Sequence, residues 1–425
     1  MQHEQNWIAL AEILGPRSPL LKPLLQVFGT PEAIFEADEA RLRKALPDVG
    51  AGTVRSILSR RTAETARAIA LWCHQNAVRI LPFDHDEYPA VLRELDEPPA
   101  LLYCRGRLPD LPTRACVGVV GPRRTDAYGE QVTYKISFEL AAAGAVIVSG
   151  LADGVDGIAT AAALLAGGTP VAVLGCGIDV TYPRHHARLL AECIERGAVL
   201  TEYAPGTPPN GYNFPIRNRL ISALSDAVLV TQAGENSGAL ITARYAVLQG
   251  RPLFTVPGNI DSPLCAGSNR LLQSGAYPVL DVRDILAPLE PRYHATLSEK
   301  HLAEAVQFSA PDKERLQKLG LRLSEKSAEA QVAAPEQEKE KKVQKAKKEQ
   351  GKEVVQQVST TARVPDLSAL TPRQRELYAL LPHEPFTADV LTAKGVPISE
   401  AASTLTLMEI YGLVASRPGG MFELK

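Results

Sequence analysis

The middle of the chain alternates short apolar runs with helical stretches rich in small residues. The runs are Ala115 to Val120, Ala145 to Val148, Val171 to Leu174, Ala198 to Leu200, Ala227 to Val230 and Leu253 to Val256, with a last candidate at Val279-Leu280. Most are apolar at every position instead of every second one, which predicts central strands of a parallel sheet, buried on both faces. Helical stretches lie between them, among them Tyr128 to Ala143, Val155 to Ala166 and Ala239 to Leu248. This alternation predicts an α/β fold, a doubly wound parallel sheet with right-handed crossovers. Ligands of such sheets bind beyond the carboxyl ends of the strands.

The flanks have other periods. From the start to about residue 75, apolar positions recur at three and four, as in Trp7 to Leu10 with Ile13-Leu14, and Leu20-Leu21 with Leu24-Leu25 and Phe28. Thr30 before Pro31 reads as an N-cap with proline at the first helical position. Helices joined by glycine turns suit either a helix-hairpin-helix touching DNA phosphate or a plain bundle used for protein contact, and the weak turn signal favours the bundle. Residues 79 to 108 read as a connecting segment with a short strand at Ala100 to Tyr103. Residues 291–365 mix both charge signs with almost no aromatics, which predicts a solvated linker. Thr371-Pro372, Thr387 to Lys394, Ser399 to Tyr411 and a hairpin of Leu413 to Ser416 with Met421 to Leu424 then describe three helices and a wing. The third helix has no Arg or Lys, so this winged helix is expected to contact protein more than to read duplex DNA. The expected domains are 1–78 (helical), 79–290 (sheet), 291–365 (linker) and 366–425 (winged helix).

Composition narrows the classes. The 425 residues are 45% apolar and 22% charged with a formal net charge of -2, so any nucleic-acid site must be a local patch. The first residues lack a secretion signal and no apolar run is long enough for a membrane span, which predicts a cytoplasmic protein. The six cysteines form no Cys-x-x-Cys pair and read as reduced core residues. His185-His186 raises a metal, but adjacent residues on a helix point apart, and a solvent-facing helix start is the expectation; no metal and no cofactor are expected.

Candidate chemistry gathers in the loops after the strands. Gly121, Arg123 and Arg124 follow the first, glycine for close approach and arginines to fork onto phosphate. Ser149 to Gly157 follows the second and enters a helix whose amides favour an anion, with Asp156 expected as its cap. Gly175 and Gly177 follow the third, a weak dinucleotide signal without its third glycine. Asn213 to Arg219 sets Phe214 beside Arg217 and Arg219, an aromatic face with forked cations suited to single-stranded nucleic acid. Gly234 to Gly238 opens another helix, with Ser237 either an anion donor or an ordinary cap. No Walker sequence, serine-histidine pairing or paired carboxylates stand out, so no catalytic residues are assigned and the chain is expected not to be an enzyme.

Together, Val119 to Arg123, Ser149 to Asp156, Ala172 to Asp179 with Tyr182-Pro183, Asn213 to Arg219, Ser237 to Arg244 and Val256 to Gly258 resemble the DNA-processing protein A family (DprA, also called Smf). The resemblance covers roughly residues 80 to 285. It implies an extended Rossmann-like domain, an N-terminal helical module (SAM or helix-hairpin-helix-like) and a winged helix. It also implies a dimer that binds single-stranded DNA, protects incoming DNA in natural transformation and loads the RecA recombinase. By position, DNA contacts fall on Arg123, Phe214, Arg217, Asn218 and Arg219, and anion-holding small residues on Gly150, Gly154, Ser237, Gly238 and Thr242. Three positions depart from the family pattern. Pro122 replaces the usual serine, Thr160 a histidine and Gln232 a glutamate. A rival reading is a phosphoribohydrolase-like nucleotide enzyme on a related fold, but its Pro-Gly-Gly-x-Gly-Thr motif is missing.

Overall fold

The computed structural model describes residues 2–45, 51–59, 63–298 and 311–324, together with 372–382, 389–392, 413–417, 421–424 and some single residues among the last stretches. The turn at Pro47 to Gly50, most of the charged linker and most of the third helix of the winged domain lie outside the described residues. The chain divides into two units, Met1–Ala334 and Pro335–Lys425.

In the first unit the strands are β1 (Arg79–Pro82), β2 (Leu101–Gly106), β3 (Cys116–Val120), β4 (Val146–Ser149), β5 (Val171–Val173), β6 (Ala198–Thr201), β7 (Ala227–Val230), β8 (Leu253–Thr255) and β9 (Tyr277–Pro278). They form one sheet in the order β1-β2-β6-β5-β4-β3-β7-β8-β9. From β6 to β9 the pairs are parallel, while β1 with β2 and β2 with β6 are antiparallel. The order reverses at β3, whose neighbours are β4 and β7. The loops after β3 and β7 therefore flank the crevice where such sheets hold ligands.

Burial on both faces follows from the apolar runs. Val117, Val119, Ile147 and Leu229 pack one way, against Ile136, Leu140, Ala159 and Ile285. Cys116, Val120, Val148 and Val228 pack the other way, against Leu220, Leu224, Ala239 and Ala243. The amino-terminal helices join a third cluster, in which Trp7, Leu10, Leu21 and Leu24 share a core with Ile80, Tyr103, Leu174 and Val199. Apolar packing thus runs across the junction at residues 78–79. Thr30 caps its helix as expected, accepting from the Ala33 amide at 3.2 Å.

Several local expectations are corrected. Residues Arg79–Pro82 form an edge strand inside the segment read as a connection. The last strand is Tyr277–Pro278, not Val279-Leu280, because Tyr277 pairs with Phe254 and its ring lies 5.4 Å from that ring. The linker reading fails for residues 311–324. There the helix Lys313–Lys318 buries Leu316, Leu319 and Leu321 in the third cluster, and Glu130 accepts from the Ser324 amide at 2.6 Å. Three apolar residues at suitable spacing suffice to anchor so short a segment, and the surrounding charges hid them.

The second unit contains the helices Pro372–Ala379 and Asp389–Thr392 and the antiparallel hairpin Val414–Arg417 with Met421–Leu424. Leu377, Leu391, Leu405, Met408 and Val414 share a small core.

Candidate nucleic-acid interface at the carboxyl edge of the sheet

The loop after β3 carries Arg123 and Arg124, both exposed. It is held from below by the loop after β4. Gly154 has φ +71°, and a Cβ there would lie 2.7 Å from the Arg123 carbonyl oxygen and closer still to that of Pro122. The Val155 amide also donates to the Pro122 carbonyl at 3.3 Å. Glycine at 154 is thus required twice, for its backbone angle and for this close approach.

Asn213 to Arg219, grouped by the sequence with the strand-end loops, is helical. It forms the first two turns of the helix Asn213–Ala223. The Phe214 ring lies against Tyr182 of the loop after β5, with centroids 5.4 Å apart and planes at 39°. The Arg123 guanidinium sits 4.6 Å from the Phe214 centroid and 5.9 Å from that of Tyr182, and donates to the Tyr182 hydroxyl at 3.4 Å. Gly175 makes room for this ring, since a Cβ there would come within 2.9 Å of Phe214 Cδ1. Most of the Phe214 side chain is covered (9% exposed), whereas Tyr212 beside it is 68% exposed.

Arg217 and Arg219 have a different setting from Arg123. Both are buried. Two residues on a helix are about 200° apart, so their side chains leave on opposite sides. Arg217 turns under the sheet edge, donating to the Gly150 carbonyl at 2.8 Å and to that of Val173. Asp156 lies against it: a Cβ on Gly150 would collide with both Arg217 Nη2 and Asp156 Oδ2. Burial pushes the Asp156 carboxyl up, and Arg217 with the amides of Ala152 and Gly150 pulls it back. Asp156 is therefore not the cap; Gly154 takes that position, and Asp156 faces the arginine from the first helical turn. Arg219 leaves the other way and pairs with Glu202 at 2.5 Å, both side chains 3% exposed. Its Nε and Nη1 have no hydrogen-bond partner but are buried, so a phosphate would reach Arg219 only if its cover opened.

The loop after β7 completes the edge. Gly238 is exposed and precedes the helix Ala239–Leu248, and Ser237 accepts weakly from the Ala239 amide at 3.3 Å. The Thr242 hydroxyl is buried without a partner. Asn218 donates to the Gly238 carbonyl at 3.4 Å and accepts from Arg217 Nε at 3.3 Å, so it bridges the two helices. Gln232 accepts from Thr125 at 2.7 Å and donates to Asp126 at 3.0 Å, tying the β7 loop to the β3 loop. Thr160 turns its hydroxyl to the Asp156 carbonyl at 2.9 Å within its own helix. A groove of about 880 Å³ lies at the opposite ends of the strands, against Cys116, Gly197 and Asp226, and is separate from this edge.

The sheet and the winged helix each have known counterparts. A family profile described as DNA recombination-mediator protein A matches residues 79–290, and one described as DprA winged helix domain matches residues 361–420. The DNA processing protein DprA of Bacillus subtilis is 38% identical over 226 residues, which cover 53% of this chain and 76% of that protein.

This chain belongs to the DNA-processing protein A family.

The Smf protein of Escherichia coli is 41% identical over 224 residues, covering 52% of this chain and 60% of that one. The X-ray structure of DprA from Streptococcus pneumoniae aligns with a TM-score of 0.58 at 32% identity, covering 66% of this chain and 97% of that one. In this chain Arg123 and Phe214 are in contact, and Arg217 lies close to both Phe214 and Asp156. Two residues with parts to play at this edge were missing from the sequence-derived site. Tyr182 had a signal, since it stood in a strand-end loop of the resemblance. Glu202 had none, because nothing local marks the partner of a buried arginine.

Proposed function

We propose that this member of the DNA-processing protein A family is a non-enzymatic protein that binds single-stranded DNA and hands it to a recombinase. The observation that carries the reading is the exposed cationic loop of Arg123 and Arg124 resting on the Tyr182–Phe214 pair. Exposed guanidinium groups hold phosphates, and the exposed Tyr212 beside Phe214 offers a face to an unpaired base. In the packed arrangement seen, Arg123 and Arg124 take the phosphate, while Arg217 and Arg219 set the shape of the edge on which they stand. Phe214, Asn218, Gly121, Gly150, Gly154, Ser237, Gly238 and Thr242 line or support it.

Family membership supports the remainder: RecA as the recipient, action as a homodimer, a role in natural transformation and a cytoplasmic location. Among the described residues no helix is long and apolar enough to cross a membrane. In this reading the winged helix serves protein contact.

The test is comparative binding of labelled single-stranded and duplex oligonucleotides by fluorescence anisotropy, with and without RecA. Preference for the single strand, marked weakening with salt and faster RecA filament formation are expected. Equal affinity for both DNAs, or RecA assembly unchanged by the protein, would overturn the corresponding half. Release of a base from a nucleotide by the purified protein would restore the phosphoribohydrolase-like alternative.

A further inference from the structure

The histidine pair expected at a solvent-facing helix start does stand at a helix start, but it does not face solvent. His186 is fully buried and His185 partly so. They occupy the single 3-10 turn Arg184–His186 before the helix Ala187–Arg196. In so tight a turn neighbouring rings need not diverge: their centroids are 4.8 Å apart with planes at 81°. Both converge on Asp153 from the loop after β4. His185 Nε2 lies 2.7 Å from Asp153 Oδ1, and His186 Nε2 lies 3.9 Å from the same oxygen.

Three features make this more than an ion pair. First, His186 Nε2 is buried and has no hydrogen-bond partner, a state that costs stability unless something occupies it. Second, the other nitrogen of that ring is already committed, because His186 Nδ1 lies 3.1 Å from the Leu151 carbonyl. A proton held there by the carbonyl leaves Nε2 as a bare lone pair, the outer hydrogen bond that orients a metal-bound histidine. Third, the ring is fixed. A Cβ on Gly157 would lie 2.7 Å from His186 Cε1 and 3.1 Å from Leu321 of the docked segment 311–324, and one on Gly320 would overlap the His185 carbonyl oxygen.

We propose that Asp153, His185 and His186 bind a divalent transition-metal ion, with zinc the best fit. One ligand atom from each residue lies within 4.8 Å of the other two. Zinc bonds of about 2.0–2.1 Å in a tetrahedron set ligand atoms roughly 3.3 Å apart, between the two separations to Asp153. Two imidazoles and one carboxylate suit zinc and its neighbours better than calcium or magnesium. Three protein ligands leave a fourth position open, and the partial exposure of Asp153 and His185 gives that position access to water. On binding, the metal takes the place of the His185–Asp153 hydrogen bond, so His185 gives up its Nε2 proton and carries one on Nδ1: a neutral ring changes tautomer, and a doubly protonated one releases a proton to solvent. Arg322 adds a positive charge nearby, but its exposure screens it.

The full chain, stripped with chelator, is titrated with Zn²⁺ by calorimetry and with Co²⁺ by visible absorption. One ion per chain is expected, with a cobalt spectrum typical of nitrogen and oxygen ligands. Asp153→Asn and His185→Gln alter partly exposed side chains and so keep the fold, which circular dichroism checks. Each should weaken binding by about tenfold or more, the scale at which even outer-shell partners act. His186→Gln should do the same where it folds. Absence of a stoichiometric site, variants that bind as tightly as the parent, or a thiolate-to-cobalt band pointing to the cysteines would each overturn the assignment.

Discussion

The Arg123 guanidinium lies 4.6 Å from the centre of the Phe214 ring, although one residue stands in the loop after β3 and the other in the helix Asn213–Ala223. The contact sets a cation on the face of an aromatic ring, an attraction of about 0.5–2 kcal/mol. It positions the arginine without consuming its outward N–H groups, which stay available to phosphate.

Arg123→Ala is accordingly expected to weaken binding of single-stranded DNA by about 1.5–3 kcal/mol, the range for a hydrogen bond to a charged group. The slope of log affinity against log salt should become shallower by about 0.7 for each phosphate no longer held. Anisotropy titrations at several salt concentrations read both. An unchanged slope would mean that Arg123 holds no phosphate.

Arg219→Ala should act on stability first. It strands Glu202, whose carboxyl burial pushes up and Arg219 pulls back, in a site where both partners are 3% exposed. Removing one partner of a buried pair costs about 3–5 kcal/mol. Urea denaturation should show that cost, and Glu202→Ala should show a similar one. If Arg219→Ala kept full stability but no longer bound DNA, the arginine's cover would have to open to admit DNA.

Gly175→Ala tests the seat of Phe214. The added methyl meets Phe214 Cδ1 at 2.9 Å, and overpacking of this kind costs roughly 1–3 kcal/mol. The ring should shift, and Arg123 with it. Weaker DNA binding by a folded protein is expected, with circular dichroism as the control. Binding equal to that of the parent would show that the ring position does not matter.

The cysteine thiols should resist modification. Burial pushes Cys73 and Cys193 up to about 12 and Cys176 up to about 11. Unfolded thiols titrate near about 8.5, so the folded state holds these protons more tightly. Stability linked to them is complete below that value and declines as pH rises through it. Ellman's reagent at neutral pH should react slowly with the native protein and with all six thiols in guanidinium. Rapid labelling in the native state would mean that the sheet opens readily.

Leu316→Ala probes the docked segment. Leu316 is 1% exposed in the cluster shared with the amino-terminal helices. Truncating a buried leucine costs about 2–5 kcal/mol. Hydrogen exchange should quicken at residues 313–321 before the sheet is affected. Unchanged protection there would mean that the segment's packing contributes little.

Much of this protein was determined by its sequence alone. Uninterrupted apolar runs required strands buried on both faces, and their alternation with helices required a parallel sheet with its loops at one edge. Arg123 and Phe214 were both legible as candidates because each carries its chemistry in its own side chain. Burial and partnership were not legible, since they depend on residues far away in the chain. Only the tertiary structure turned Arg217 beneath the edge onto the carbonyls of Gly150 and Val173, and only it gave Arg219 to Glu202. It also buried His186 behind Gly157, and it folded part of a charge-rich stretch onto the core through Leu316, Leu319 and Leu321. The physical reason is common to all four. A side chain's type limits what it can bind, but its neighbours in space decide whether solvent, a counter-charge or a ligand meets it.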